Sequence, residues 1–318
     1  MSHPQEGSYI NNKELDLVKA EYLKFTEFLC SVIGENKFKK SKFWFYQKQL
    51  SDFSKLDLVS QSKLLAVINK YGRLMPIFSG DMDFLKHNLL KLVSGSHSFS
   101  NLEEEHNDFY FEFDMALRYL LCNEQKNINI TSECDVIIDD DIAIECKFLH
   151  GESGFEQNIR KANNQIITRI EDGLAKRGFI SIDISHLVSK KEIQDFIDSI
   201  FIEFLEQYKN LGVSIEDAQS QIPHNKNFKK IVQGYVNQKI EYYYHKAKNT
   251  YVQFNLDSKV IGVFYQYEDV FLLDSDEYAT CLPIRIGCYD MNDKYILNNP
   301  SIDKDELKKE FHSLATGI

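Results

Sequence analysis

The stretch CDVIIDDDIAIECKF, Cys134 to Phe148, reads as a β-hairpin, with the apolar, β-branched runs VII and IAI on either side of three consecutive aspartates. The expected turn covers Asp139 to Asp141. Side chains alternate faces along a strand, so Glu145 and Lys147 share one face and the Cys146 thiol points to the other. Asp135, Glu145 and Lys147 therefore sit on a hairpin whose neighbours belong in a core. Buried charges are costly unless they pair or bind metal. Two carboxylates beside one ammonium suit a divalent cation, with the lysine next to whatever that cation activates. Phosphodiester hydrolysis is the chemistry this set fits. An exposed hairpin with a simple Glu–Lys pair is the alternative that the same residues allow.

An Asp followed, after nine residues, by Glu-x-Lys resembles the PD-(D/E)XK nuclease superfamily, whose fold is restriction-endonuclease-like. Three further segments fit the resemblance, which covers roughly residues 101 to 186. The upstream helix-like DFYFEFDMALRYLL carries Glu112 where many members place a first acidic residue. The downstream helix-like FEQNIRKANNQIITRI carries Gln165 in a KAxxQI setting, and RGFISIDIS follows as a core strand. Cys134 departs from the pattern, standing where a proline is often found.

The resemblance implies Mg²⁺ or Mn²⁺ as cofactor. It gives Asp135, Glu145 and Glu112 as metal ligands, with the backbone carbonyl of Cys146 as a fourth. Lys147 is expected to orient or deprotonate the attacking water, or to stabilise transition-state charge. Gln165 is expected to contact a metal-bound water or the substrate backbone. DNA is the expected substrate, in a prokaryotic restriction or phage-defence setting. A homo-oligomer and a partner protein of a defence system are further expectations. Two alternatives stay open: an inactive nucleic-acid-binding or regulatory protein that keeps the fold, and an RNase effector.

Glu105, Asp108 and Glu112 fall on one helical face and could each complete a metal shell, or equally form a solvated acidic face. Lys161, one turn before Gln165, is placed to hold a phosphate, and Arg160 is a weaker candidate. The stretch KFKKSKFWFYQK (37–48) interleaves five lysines with aromatics, and residues 224–248 carry six lysines with Tyr242, Tyr243 and Tyr244. Lysines contact phosphates and aromatics stack on bases, so Lys39, Lys40, Lys42, Lys229 and Lys230 are candidate nucleic-acid contacts. Solvated lysine faces with buried aromatics read equally well from either stretch.

The chain of 318 residues has a formal net charge of −11, which is unexpected for a protein that binds nucleic acid. Residues 101–160 hold 15 acidic against 4 basic residues, and the rest of the chain balances at 33 of each. Such a cluster repels phosphate unless cations neutralise it, so at least three of these carboxylates are expected to bind metal. The composition is that of a globular protein, with 23 Phe and 17 Tyr to fill a core and 5 Pro. No apolar run has the length of a membrane span and no secretory leader pattern follows the N-terminus, so a reducing cytoplasm is expected. The six cysteines show no CxxC pairing, and the nine histidines show no ligand spacing. His150 and His186 neighbour the hairpin in sequence order only. Nucleotide-binding GxxxxGK, GxSxG and HExxH patterns are missing from the chain.

The expected fold class is α/β, with a restriction-endonuclease-like mixed sheet flanked by helices. The expected organisation is a helical N-terminal module over 1–100, a nuclease core over 101–188, and an α+β C-terminal extension over 189–318. In the first part, Asn12 caps one helix and Gly34 closes it. A second helix runs near Ser60 to Tyr71, and Asp81 caps a third that ends before Gly95. NINIT (127–131), 178–184, KVIGVFYQ, DVFLL and LPIRIGC read as strands, and 153–176, 189–210, 225–248 and 303–315 as helices.

Overall fold

The computed structural model describes residues 15–79, 85–93, 106–122, 127–130, 135–250, 255–275 and 278–316. The first five helices are α1 (Leu15–Ile33), α2 (Glu35–Phe38), α3 (Lys42–Ser51), α4 (Leu58–Gly72) and α5 (Leu85–Val93). Then follow α6 (His106–Cys122), β1 (Ile128–Asn129), β2 (Val136–Ile138), β3 (Ile142–Phe148), α7 (Phe155–Glu171) and β4 (Arg177–Asp183). The chain continues through α8 (Lys190–Asn210), α9 (Ile215–Gln221), α10 (Lys226–Thr250), β5 (Val260–Ser275), β6 (Tyr278–Met291), α11 (Asp293–Asn298) and α12 (Lys304–Thr316). The expected caps at Asn12 and Asp81, together with Gly95, Glu105 and Cys134, lie outside the described residues, as does the side chain of Asp108.

The six strands form one mixed sheet in the order β1-β2-β3-β4-β5-β6. The β2–β3 pair is antiparallel, β3–β4–β5 are parallel, and β5–β6 is a long antiparallel hairpin. Helices cover both faces, which is why the central strands are buried throughout and rich in Ile, Val and Phe. On one face, α1, α4, α5, α6 and α12 pack with Val136, Ile144, Cys146, Phe179 and Phe264 in one apolar cluster. On the other, α7, α8, α9 and α10 pack with Ile180, Ile182, Val263 and Tyr265. The helices of residues 15–93 therefore share a core with the sheet. The C-terminal part supplies two of its six strands.

Two local readings are corrected. KVIGVFYQ and DVFLL are a single strand, because Glu268 and Asp269 stay in register opposite Arg285 and Ile284 rather than turning. The lysine-aromatic stretch 37–48 folds into α2 and α3 with Phe38, Phe43 and Tyr46 in the core. Lys42 goes in with them at 1 % exposure, its Nζ donating to the Tyr71 hydroxyl at 3.0 Å and lying over that ring. A lysine so enclosed is a core group and does not contact nucleic acid.

Candidate metal centre

The hairpin turn uses Asp139 and Asp140 at φ 52 each, the left-handed pair that a tight I′-type turn requires, and Asp tolerates it better than most residues. This turn sets Val136 opposite Ile144. Continuing that register puts Asp135 opposite Glu145, and directly opposed residues share a face. Lys147 follows two residues on, on the same face. The parallel partner β4 places Ile180 and Ile182 beside Glu145 and Lys147, and α7 covers them.

The Lys147 ammonium is the meeting point of the group. Its Nζ lies 2.9 Å from the Cys146 carbonyl oxygen, 3.3 Å from Glu145 Oε2 and 3.5 Å from Asp135 Oδ2. Asp135 is held in place by the Cys146 backbone N–H, which donates to Oδ2 at 2.6 Å. The Glu145 side chain has no exposed surface, and its Oε1 has no hydrogen-bond partner. Burial, and then the Asp135 charge, push the Glu145 carboxyl up to about 7 against the pull of Lys147 and Arg169. Burial alone would lower the Lys147 ammonium, but Asp135 and Glu145 outweigh it and raise its pKa. The Cys146 thiol, on the other face, is pushed well up by burial and then by nearby carboxylates, Glu112 among them, so it is inert.

The donor set is all oxygen: two carboxylates and a carbonyl, with one buried carboxylate oxygen unsatisfied. That set fits Mg²⁺ or Mn²⁺, which take oxygen ligands, and Mg²⁺ keeps several waters of its own. Among the described residues, no group of three or more His, Cys, Asp or Glu is arranged to hold a metal ion. Glu112 is thus not gathered with Asp135 and Glu145. Its helix, α6, packs on the face carrying Ile144 and Cys146, whereas Glu145 projects under α7.

The local acidity has structural uses as well. Asp114 is buried among Arg73, Arg118 and Arg285, Asp141 accepts from Arg177 at 2.9 Å, and Asp139 accepts from the Asn127 N–H at 2.7 Å. The expectation of three metal-binding carboxylates reduces to the two on the hairpin.

Gln165 stands on α7 with its Oε1 buried and without a hydrogen-bond partner. Lys161 and Arg160 line the same groove, with Arg160 paired to Glu156 at 2.6 Å. The other lysines are not brought here. Lys39 pairs with Glu35 at 2.5 Å, and Lys40 is exposed in the turn before α3. Lys229 and Lys230 sit near the start of α10. Lys246, the α10 lysine that reaches this region by pairing with Glu152 at 2.9 Å, lies about 25 Å further along the helix at 1.5 Å per residue.

Two features escape the sequence reading. His150 and His186 meet in space, ring centroids 5.8 Å apart, both packed on Phe148. Arg169 reaches the site from α7, its Nε 3.7 Å from Glu145 Oε1. Its spacing of four from Gln165 on a polar helix face was the available signal.

Among the described residues, no helix is long and apolar enough to cross a membrane. Comparison of the chain with protein-family models, with curated proteins and with solved structures gives no match.

Proposed function

We propose that this protein is a Mg²⁺- or Mn²⁺-dependent nuclease of the restriction-endonuclease-like fold that hydrolyses phosphodiester bonds in DNA. One observation carries the reading: Asp135 Oδ2, Glu145 Oε2 and the Cys146 carbonyl oxygen converge on one point, which the Lys147 ammonium occupies. Three oxygens drawn to one positive charge are the ligand set a divalent cation would use. Bound by them, the ion would supply Lewis-acid polarisation of the phosphate and a water of lowered pKa.

The chain's own residues do the rest. The Cys146 N–H fixes Asp135, and burial on β3 fixes Glu145, so neither ligand needs to reorganise. Lys147 keeps its proton between two carboxylates, and it brings that charge to the phosphate as the water oxygen adds and the bridging oxygen departs, the proton lost by the water ending on that departing oxygen. Gln165, its Oε1 free to accept, lies in the groove along which substrate would enter.

The test is cleavage of plasmid, linear duplex, single-stranded DNA and RNA by the purified chain, with Mg²⁺ or Mn²⁺ and with chelator. Asp135→Ala and Lys147→Ala should each slow cleavage by roughly 10²-fold or more. Cleavage that survives chelation and both substitutions, or no cleavage of any substrate, would sink the proposal. Cleavage of RNA alone would move the substrate to RNA.

A further inference from the structure

The helix α7 turns Phe155, Ile159, Ala162 and Ile166 into the core. Its opposite side lines a groove of about 720 Å³ with Arg160, Lys161, Asn164, Gln165, Thr168 and Arg169. The lining carboxylate, Glu156, is held by Arg160, and Arg169 turns its Nε to Glu145, so Lys161 and the outer nitrogens of Arg169 are the cationic groups presented to the groove. A helix face of cations and amides beside a buried carboxylate suits an anion such as a phosphate.

At the inner end of the groove Arg169 Nε and Glu145 Oε1 form a 3.7 Å ion pair, and Gln165 Oε1, one turn earlier on α7, is buried without a hydrogen-bond partner. A buried polar atom without a hydrogen-bond partner forfeits its hydration, so Gln165 Oε1 offers an acceptor to a polar ligand in the groove. Glu145 divides its oxygens between two cations, Oε2 facing Lys147 and Oε1 facing Arg169. Arg169 is 20 % exposed, so its planar fork is reachable from the groove while its Nε stays beside the carboxylate. A guanidinium fork matches two oxygens of one phosphate, which an ammonium cannot do.

We propose that Arg169 binds the phosphate being cut and Lys161 binds another phosphate of the same strand, so that the cleaved strand runs along α7. The two residues lie eight positions apart, about 12 Å along the helix, and so serve different phosphates. The assignment rests on the nuclease reading, and it adds a phosphate-binding residue and a direction for the strand.

Binding of the full chain to a short fluorescein-labelled DNA strand, in chelator so that nothing is cut, is measured over a range of salt. Arg169→Ala and Lys161→Ala should each reduce the slope of log affinity on log salt by about 0.7. Arg169→Lys should keep the slope, because the charge remains, yet cut at least about tenfold more slowly with Mg²⁺, because the fork is gone. If Arg169→Ala does not fold, judged by its melting curve, Arg169→Lys decides alone: slower cleavage supports the assignment and unchanged cleavage overturns it. A wild-type chain that cleaves, with Arg169→Ala matching it in slope and rate, overturns the assignment and leaves the nuclease standing. A wild-type chain that neither binds nor cleaves removes both.

Discussion

Glu145 is a carboxylic acid with no exposed surface and one oxygen left without a hydrogen-bond partner. Its carboxyl is pushed up to about 7, whereas an unfolded chain would ionise it near 4.5. Between those values the folded state holds a proton that the unfolded state has released, so stability falls as pH rises through the window from about 4.5 to 7. Glu145→Gln, a neutral isostere, should therefore melt higher than wild type at pH 8 in chelator, with the gain gone at pH 4. Each pKa unit is worth about 1.4 kcal/mol, so the gain is on the order of 3 kcal/mol, read by urea denaturation at the two pH values. Adding Mn²⁺ at pH 8 should stabilise wild type and leave Glu145→Gln unmoved. A variant no more stable than wild type at pH 8 would mean that Lys147 and Arg169 already neutralise the carboxylate. The acidic pair and the lysine were legible in the sequence because all three belong to one hairpin, where period and register decide who shares a face. Arg169 was not, because its place beside Glu145 exists only once α7 lies over β3. Lys42 was misread for the converse reason: its burial is set by Tyr71, 29 residues away.

At the scale of elements, the site depends on how closely α7 lies on the β3–β4 pair. Gly178, at the start of β4, makes that approach possible: a Cβ there would lie 2.6 Å from the Ala143 carbonyl oxygen and 2.6 Å from Ile166 Cγ2. Gly178→Ala should cost about 1–3 kcal/mol through overpacking. It should also lower cleavage by shifting Gln165 and Arg169 away from Glu145, although no site residue is altered. Equilibrium denaturation and the cleavage assay check the two effects separately, and a variant as stable and active as wild type would show that α7 can yield without cost. Sequence periodicity reveals α7 as amphipathic, since its apolar residues recur every three or four positions. It does not reveal that the polar side closes over a carboxylate. The single long β5 was missed for a related reason. Charges at Glu268 and Asp269 suggest a break until their partners are known, and Arg73 at 2.9 Å and Lys190 at 2.5 Å supply them.

For the whole molecule, the informative feature is an ionic network between the helices of residues 15–93 and the sheet. Arg73, at the end of α4, reaches Asp114 on α6 at 3.1 Å and Glu268 on β5 at 2.9 Å. Arg118 and Arg285 converge on the same Asp114, and Arg118 also donates to the Leu314 carbonyl of α12 at 2.5 Å. Burial pushes the Asp114 carboxyl up, but the three guanidinium groups outweigh it and hold it well below the usual carboxylate range. Asp114→Ala would leave three cations without their shared partner, so it should cost roughly 3–5 kcal/mol. Because that network and the apolar cluster beneath it span helices and sheet together, wild type should unfold in a single transition. Near-UV circular dichroism of Trp44 and the aromatic-rich core, compared with far-UV circular dichroism, tests this. Two separated transitions would instead make residues 15–93 an independent unit.

The sequence by itself determined the hairpin carrying Asp135, Glu145 and Lys147, its turn, and the shared face of Glu145 and Lys147, because these follow from alternation within 15 consecutive residues. It also determined an α/β chain with a sheet flanked by helices. Only the tertiary structure decided that Glu112 is not gathered with Asp135 and Glu145, that Lys42 is core, and that Arg169 stands beside Glu145. Each depends on which helix packs on which face of the sheet, and that is settled by long-range burial and charge pairing rather than by any local period.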